Sequence, residues 1–203
     1  MNETVAYYDR NAESFFKETV QVDMSALYAP FFTHIPPGGI VLDAGCGSGR
    51  DSLHFIQHGY EVEAFDASLE MCRLASGVIG RTVHHMTFDE VNWVSEFDGI
   101  WACASLLHVG RDSIDAVIER LCRALKPNGV MFASFKLRDE EWKTDGRFFN
   151  GYNEKSFRQL IEIHPSLRVE SIWISDDARP ERKGEKWLNA LLQTSHQIPA
   201  NKS

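Results

Sequence analysis

The stretch Ile40-Val41-Leu42-Asp43-Ala44-Gly45-Cys46-Gly47-Ser48-Gly49-Arg50-Asp51 constrains this chain more than any other. An apolar run ends in an acidic residue and opens into glycine at every second position. The run from Gly39 to Ala44 has the length and character of a short buried strand, and Asp51 to Gln57 begins a helix, so the glycines form the turn between them. Glycine there lets a ligand meet the backbone with no Cβ in the way. The helix amides face whatever sits above the turn and favour a carboxylate or another anion. The spacing differs from the G-x-G-x-x-G that suits a dinucleotide pyrophosphate, which counts against a NAD-linked oxidoreductase.

The residues beyond this helix sharpen the reading. Gly59 introduces a second strand, Tyr60-Glu61-Val62-Glu63-Ala64-Phe65, which closes on Asp66. An acidic residue at the tip of a second parallel strand lies beside the first turn and can accept both hydroxyls of a ribose. Through Leu42-Asp43-Ala44-Gly45-Cys46-Gly47-Ser48-Gly49 and the strand-terminal Asp66, the chain resembles the class I S-adenosylmethionine-dependent methyltransferases. Composition and periodicity do not show that cofactor; the resemblance implies it, with S-adenosylhomocysteine as product. Gly45 to Ser52 together with Gly59 to Asp66 is similar to the small tellurite-resistance-like bacterial methyltransferases.

Taken in order, residues 3–34 read as one or two helices, with Val5, Tyr8, Ala12, Phe15 and Phe16 at near-helical spacing and Met24, Leu27, Tyr28, Phe31 and Phe32 after them. They form either a plain amphipathic cover or, by the resemblance, a tyrosine-bearing lid over the cofactor. Ser68 is positioned to cap a helix to Ser76, closed by Gly77 and Gly80. Thr82 to Met86 is a third strand, on which the adjacent His84 and His85 point to opposite faces and so share no metal. Gly99 to Ala104 is a fourth strand. Arg111 to Leu125 is a helix with Ile114, Val117, Ile118, Leu121 and Leu125 on one face, stopped by Lys126-Pro127-Asn128-Gly129. Gly129 to Lys136 is the fifth strand. Helix, Lys-Pro-x-Gly turn and strand together also resemble these methyltransferases.

Leu137 to Tyr152 is too polar for core and too aromatic for an idle linker. Asn153 caps a helix from Glu154 to Ile163, Leu167 to Ser175 is a sixth strand, and residues 186–194 are assigned to a last strand by the resemblance although they are better helix formers. Residues from His196 should fray. The expected fold class is α/β: a Rossmann-like, doubly wound, mostly parallel seven-stranded sheet with helices on both faces. A length of 203 residues suits one domain. Within it, 1–38 is an N-terminal helical lid, 39–136 the cofactor-binding core, and 137–195 the acceptor-side segment and last strands.

Composition enters by exclusion. Cys46, Cys72, Cys103 and Cys122 show no C-x-x-C pairing, which is the usage of a reducing cytosol and argues for a cytoplasmic protein with no metal site. The N-terminus lacks a basic stretch followed by an apolar one, and no apolar run approaches the roughly 20 residues that span a bilayer. A formal charge of −8 makes no general case for nucleic acid or an anionic membrane.

Methyl transfer from a sulfonium is an in-line displacement that needs positioning more than covalent chemistry. The strand ends that would gather the ligand carry Asp43 to Arg50, Asp66, Phe88 and Ala102 to His108. The resemblance implies cofactor contacts from Tyr8, Asp43, Gly45, Gly47, Gly49, Arg50, Asp66, Ala67, Phe88, Ala102 and Cys103. Phe88 would face the adenine or serve as plain core, and Arg50 would bind a ligand carboxylate or form a surface ion pair. For an acceptor that must lose a proton, His108 is the base candidate by chain position; its other role is packing at a strand-to-helix junction. A small-molecule acceptor enclosed by Tyr8, His108, Trp142, Phe148 and Phe149 is the preferred partner. Leu106-Leu107-His108 also allows an RNA methyltransferase, and a non-catalytic cofactor-binding module is the third alternative.

Overall fold

The computed structural model describes residues 3–195, so the expected fraying from His196 lies outside the described residues. Two helices, α1 (Glu3–Thr19) and α2 (Ser25–Phe32), precede the first strand. Strand and helix then alternate: β1 (Ile40–Ala44), α3 (Arg50–Gln57), β2 (Glu61–Asp66), α4 (Leu69–Ile79), β3 (His84–His85), β4 (Phe97–Ala102), α5 (Ile114–Ala124) and β5 (Leu125–Lys136). After these come β6 (Glu141–Thr144), β7 (Arg147–Asn150), α6 (Glu154–Glu162), β8 (Leu167–Asp176) and β9 (Lys186–Thr194).

Seven strands form one sheet in the order β3-β2-β1-β4-β5-β9-β8. The pairs from β3 to β5 are parallel, and β9 runs antiparallel to both β5 and β8. This is the expected Rossmann-like, mostly parallel arrangement. Strand order reverses between β1 and β4, which opens a crevice above their carboxyl ends. One face buries Leu42, Phe65, Ile100 and Phe135 under α5 and α6. The other buries Val41, Trp101, Phe132 and Leu191 under α2 and α3, with Trp101 stacked on Phe132 at a 4.0 Å centroid distance. A smaller cluster seats α4 on Ala64 through Cys72, Ala75 and Ile79.

Local chemistry accounts for most boundaries. Ser68 accepts from the Met71 amide at 3.2 Å and Asn153 from the Ser156 amide at 2.9 Å, both as the sequence predicts. Gly80 ends α4 in the left-handed conformation, whereas Gly77 lies inside the helix because the apolar spacing continues to Ile79. The third strand shrinks to His84 and His85, both exposed. His84 Nε2 meets Glu63 Oε2 at 3.0 Å, and His85 Nε2 meets the Ala67 carbonyl at 3.2 Å. The fourth strand starts earlier and stops at Ala102, since Ala104 turns away with φ 55°.

Residues 137–152 hold regular structure that their polar and aromatic composition does not announce. Asp145 and Gly146, at φ 51° and 76°, form the two-residue turn of a β6–β7 hairpin in which Trp142 stacks on Phe149 at 5.2 Å. The last segment is a strand against its helix propensity. Its position between β5 and β8 buries Leu188 to Leu192 on both faces, and that burial outweighs the local preference.

Candidate active site

A cavity of about 620 Å³ runs above the carboxyl ends of the strands, from the tip of β2 to β9, with α1 over it. That volume is in the range of small-molecule sites. Its wall includes Tyr8, Gly45, Gly47, Arg50, Asp66, Ala67, Phe88, Cys103 and His108, most of the residues picked from the sequence.

The three glycines of the turn all adopt positive φ, but for different purposes. A Cβ on Gly45 would meet Ser105 Cβ at 2.5 Å, and one on Gly49 would meet Ala75 at 3.1 Å. Those two glycines allow the turn to pack against protein. On Gly47 a Cβ would find only a Phe15 ring carbon, at 3.7 Å, so the approach to its backbone lies open to the cavity. The Gly47 amide donates to Asp66 Oδ2 at 2.9 Å, and the Ser68 amide donates to Asp66 Oδ1 at 2.9 Å. Each carboxylate oxygen accepts one backbone bond and keeps a lone pair. Burial raises the Asp66 pKa despite those bonds, so hydroxyl donors from a ligand would relieve a carboxylate that is short of solvation. Ser68 Oγ donates to Asp9 Oδ1 at 2.6 Å, which ties α1 to this corner. Phe88 packs edge-on against Phe65 at 5.3 Å and still forms part of the wall, so it is both core and site.

Above the turn, Tyr8 OH and His108 Nε2 are 2.9 Å apart, and His108 Nδ1 is 2.6 Å from the Phe148 carbonyl oxygen. A carbonyl only accepts, so Nδ1 carries the proton; Nε2 is then the lone-pair nitrogen, and Tyr8 donates to it. Burial lowers the His108 pKa to about 4, with the Arg147 charge acting in the same direction and the Phe148 bond opposing it. Burial likewise pushes Tyr8 up to about 12. Near neutral pH the pair is an uncharged phenol bound to an uncharged imidazole. The Arg147 guanidinium lies against the same phenol and opposes the rise in its pKa through its charge and a hydrogen bond, so the phenol oxygen faces a cation as well as the imidazole.

Toward β4 the site rests on a buried ionic knot. Arg50 Nε and its terminal nitrogen donate to Asp51 at 2.6 and 2.9 Å, while Tyr28 OH and Trp101 Nε1 donate to the same carboxylate at 2.6 and 2.8 Å. Burial opposes the charge on Asp51, yet the Arg50 guanidinium and these hydrogen bonds hold its carboxyl below the ordinary value. Arg50 therefore belongs to an internal pair and not to the surface. Beyond it the wall continues through Cys103, Ser134, Asp177, Arg179, Trp187 and Asn189.

Several expected residues do not reach the cavity. Asp43 is buried beneath the turn, accepting from Ser52 Oγ at 2.6 Å, and burial followed by the Asp51 charge raises its pKa. Gly49 is spent on the contact with α4, and Ala102 is enclosed within the sheet. Trp142, Phe148 and Phe149 stand behind His108: Phe148 contributes its carbonyl, and the Phe149 ring lies 5.0 Å from the imidazole. Asp51, Tyr28, Ser134, Asp177, Arg179 and Asn189 were missed. The one local signal among them is Asp51, an acidic residue in the first turn of a helix directly after an arginine.

Comparison with known proteins bears on this site. Residues 41–129, which contain the glycine turn, Asp66 and the Lys-Pro-Asn-Gly turn, match the methyltransferase domain family. Malonyl-[acyl-carrier protein] O-methyltransferase of Salmonella typhimurium is 36% identical over 95 residues, 45% of this chain and 36% of that protein. The chain thus spans only about a third of that relative's length. Among solved structures, the Burkholderia thailandensis 1,6-didemethyltoxoflavin-N1-methyltransferase, with S-adenosylhomocysteine bound, superposes with a TM-score of 0.76 at 21% identity, covering 95% of this chain and 85% of its own. The magnesium protoporphyrin IX methyltransferase of Synechocystis, with S-adenosylmethionine bound, has a TM-score of 0.63 at 17% identity over 94% and 81%. At those identities the likeness is one of fold. None of these three names speaks for the tellurite-resistance branch. The matched segment carries the motif read from the sequence, and the fold around it is the one seen in S-adenosylmethionine-dependent methyltransferases.

Proposed function

We propose that the chain transfers a methyl group from S-adenosylmethionine to a small-molecule acceptor held in the same cavity. The observation that carries this reading is that one cavity joins a desolvated Asp66 beside the open Gly47 backbone to a differently lined wall of Ser134, Trp187 and Asn189 toward β9. Asp66 would accept the ribose hydroxyls, Phe88 and Ala67 would flank the adenine, and the Gly45 to Gly47 backbone with Cys103 would hold the methionine moiety under Tyr8. When bound, the cofactor supplies an electrophilic methyl on a positively charged sulfur. The protein's part is to hold acceptor and methyl in line and exclude water, which accounts for much of the rate of such a displacement. His108 acts by accepting the Tyr8 O–H hydrogen bond and so fixing where the phenol ring stands over the cofactor. On this reading it is a positioning residue and not the base named from its chain position.

A small acceptor fits the neighbours whose names specify didemethyltoxoflavin and protoporphyrin. RNA fits poorly, since Arg50 and Arg179, the cationic side chains of the described wall, are both paired with carboxylates. We read residues 1–38 as the lid, 39–136 as the cofactor half and 137–195 as the acceptor half of one domain. Among the described residues no helix is long and apolar enough to cross a membrane, and the four free cysteines fit the cytoplasm. The test is methyl incorporation from labelled S-adenosylmethionine into total RNA and into thiols, phenols, amines and metalloid oxyanions. Salt-sensitive labelling of one RNA with the small molecules inert would overturn the small-acceptor reading.

A further inference from the structure

At its β9 end the cavity reaches a polar row set into an otherwise apolar face of the sheet. Strand register aligns Asn189 with Ser134 on β5 and with Trp173 on β8. The next residues of β9 on the same face are Trp187 and Leu191. Asn189 is fully buried and forms part of the cavity wall. Its Nδ2 donates to Ser175 Oγ at 2.9 Å and lies 3.5 Å from the Trp173 carbonyl, which fixes the orientation of the amide. Among the described residues its Oδ1 has no hydrogen-bond partner. Buried side-chain oxygens are rarely left unpaired, and one in the wall of a ligand cavity calls for a donor that the ligand brings.

The charges around this chamber narrow what that ligand can be. Arg50 and Arg179 are the cations in the described wall, and each is spent on a carboxylate: Arg50 on Asp51, and Arg179 on Asp177 at 2.9 and 2.8 Å. Asp177 also meets Lys136 Nζ at 3.4 Å and Asp176 is paired with Lys186 at 2.7 Å, while Asp23 accepts the Ser25 amide at 2.9 Å and forms no ion pair with a lysine or arginine among the described residues. An anionic acceptor would find no free positive partner and would face this surplus of carboxylates. A neutral or cationic hydrogen-bond donor would meet an empty acceptor oxygen and a favourable field.

Resting on the methyl-transfer reading, we propose that Asn189 Oδ1 receives an N–H of the acceptor, and that the acceptor is a nitrogen compound, an N–H heterocycle or an amine, and not a carboxylate or oxyanion. An ammonium first gives a proton to water; the lone pair of the neutral amine, or of the unprotonated ring nitrogen of a heterocycle, then forms the new bond to the methyl carbon as the carbon–sulfur bond breaks. The electron pair of that bond stays on sulfur, and the methylated cation sheds an N–H proton to water.

The experiment uses the full chain. S-adenosylhomocysteine binding is measured first by calorimetry, and its absence would defeat the methyl-transfer reading itself. Labelled S-adenosylmethionine is then offered with benzimidazole, tryptamine, 3-phenylpropanoate, thiophenol and arsenite. With S-adenosylhomocysteine bound normally, the nitrogen compounds should be methylated about tenfold or more faster than the rest, because a site built around one hydrogen bond rejects ligands lacking it. Asn189→Leu should raise KM for the methylated compound about tenfold with a smaller change in kcat and unaltered S-adenosylhomocysteine affinity. Asn189→Asp, which keeps an acceptor oxygen, should restore KM. Labelling of 3-phenylpropanoate, thiophenol or arsenite in preference, absence of label in both nitrogen compounds, or an unchanged KM in a folded Asn189→Leu variant would overturn the proposal.

Discussion

Acidification should weaken the fold through His108, by an amount that depends on its surroundings. In the unfolded chain the imidazole titrates near 6.5; in the folded protein burial holds it neutral down to about 4. The folded pKa is the depressed one. The stabilising contribution is therefore fully present above pH 6.5 and is lost as pH falls toward 4, because the unfolded chain takes up the proton first. A gap of that size corresponds to about 2 to 3 kcal/mol, the lower figure allowing for cavity water screening the charge. The comparison variant is His108→Gln, whose amide can donate to the Phe148 carbonyl and accept from Tyr8 as the imidazole does, yet cannot titrate. Urea unfolding of both proteins, followed from neutral pH down to about 4.5, should show the wild type losing up to about 2 to 3 kcal/mol more than the variant over that span. Other carboxylates, including Asp43 and Asp66, titrate alike in both, so the difference isolates the imidazole. Two parallel stability curves would refute the neutral, phenol-bound assignment. So would a limb in kcat/KM near pH 6.5 that His108→Gln removes, since that would identify a freely titrating base.

Three further outcomes are expected. Asp66→Ala should weaken S-adenosylhomocysteine binding by about 1 to 3 kcal/mol in calorimetry, and unchanged affinity would take Asp66 out of the site. Gly47→Val should abolish that binding while circular dichroism stays native, because the left-handed backbone at φ 53° costs a branched side chain only about 1 to 2 kcal/mol but the branches intrude on the ligand; full binding would contradict the close-approach argument. Asp51→Asn should destabilise the fold by about 3 kcal/mol in urea unfolding, since Arg50 loses its counter-charge and the new amide sets N–H against the donors of Tyr28 or Trp101. A loss below about 1 kcal/mol would mean that Arg50 is neutralised elsewhere.

The glycine-turn end of the cavity was legible because its chemistry is local. Gly45, Gly47 and Asp66 sit in a single strand-turn-helix-strand unit, where backbone geometry leaves few choices and residue type reports conformation directly. The errors within that unit are instructive. Asp43 and Gly49 belong to the motif yet face inward, one bonded to Ser52 and the other packed on Ala75. A motif selects residues for the shape of the turn as well as for touching the ligand, and sequence alone does not separate the two. The β6–β7 hairpin was missed for a different reason. Its Asp145-Gly146 turn is a recognisable signal, but the flanking strands are four residues each and mostly polar, so no alternation stands out from the loop around them.

The β9 end of the cavity, the proposed acceptor side, was illegible because nothing about it is local. Ser134, Ser175 and Asn189 come from three strands and converge only through the register of β5, β9 and β8. Asn189 lies in a segment whose composition favours helix, so even its place in a strand is set by burial between neighbours and not by its own sequence. The fold also keeps the two halves chemically independent. Asp66 takes its bonds from Gly47 and Ser68, while the chamber at β9 draws on side chains far along the chain. On the proposed reading, substitutions at 134, 175 or 189 should therefore change which donor is accepted at β9 while leaving the glycine turn untouched. The family match over residues 41–129 takes in the glycine turn and Asp66 and stops short of Ser134, Ser175 and Asn189, so on the proposed reading it bears on the methyl source and not on the methyl's destination.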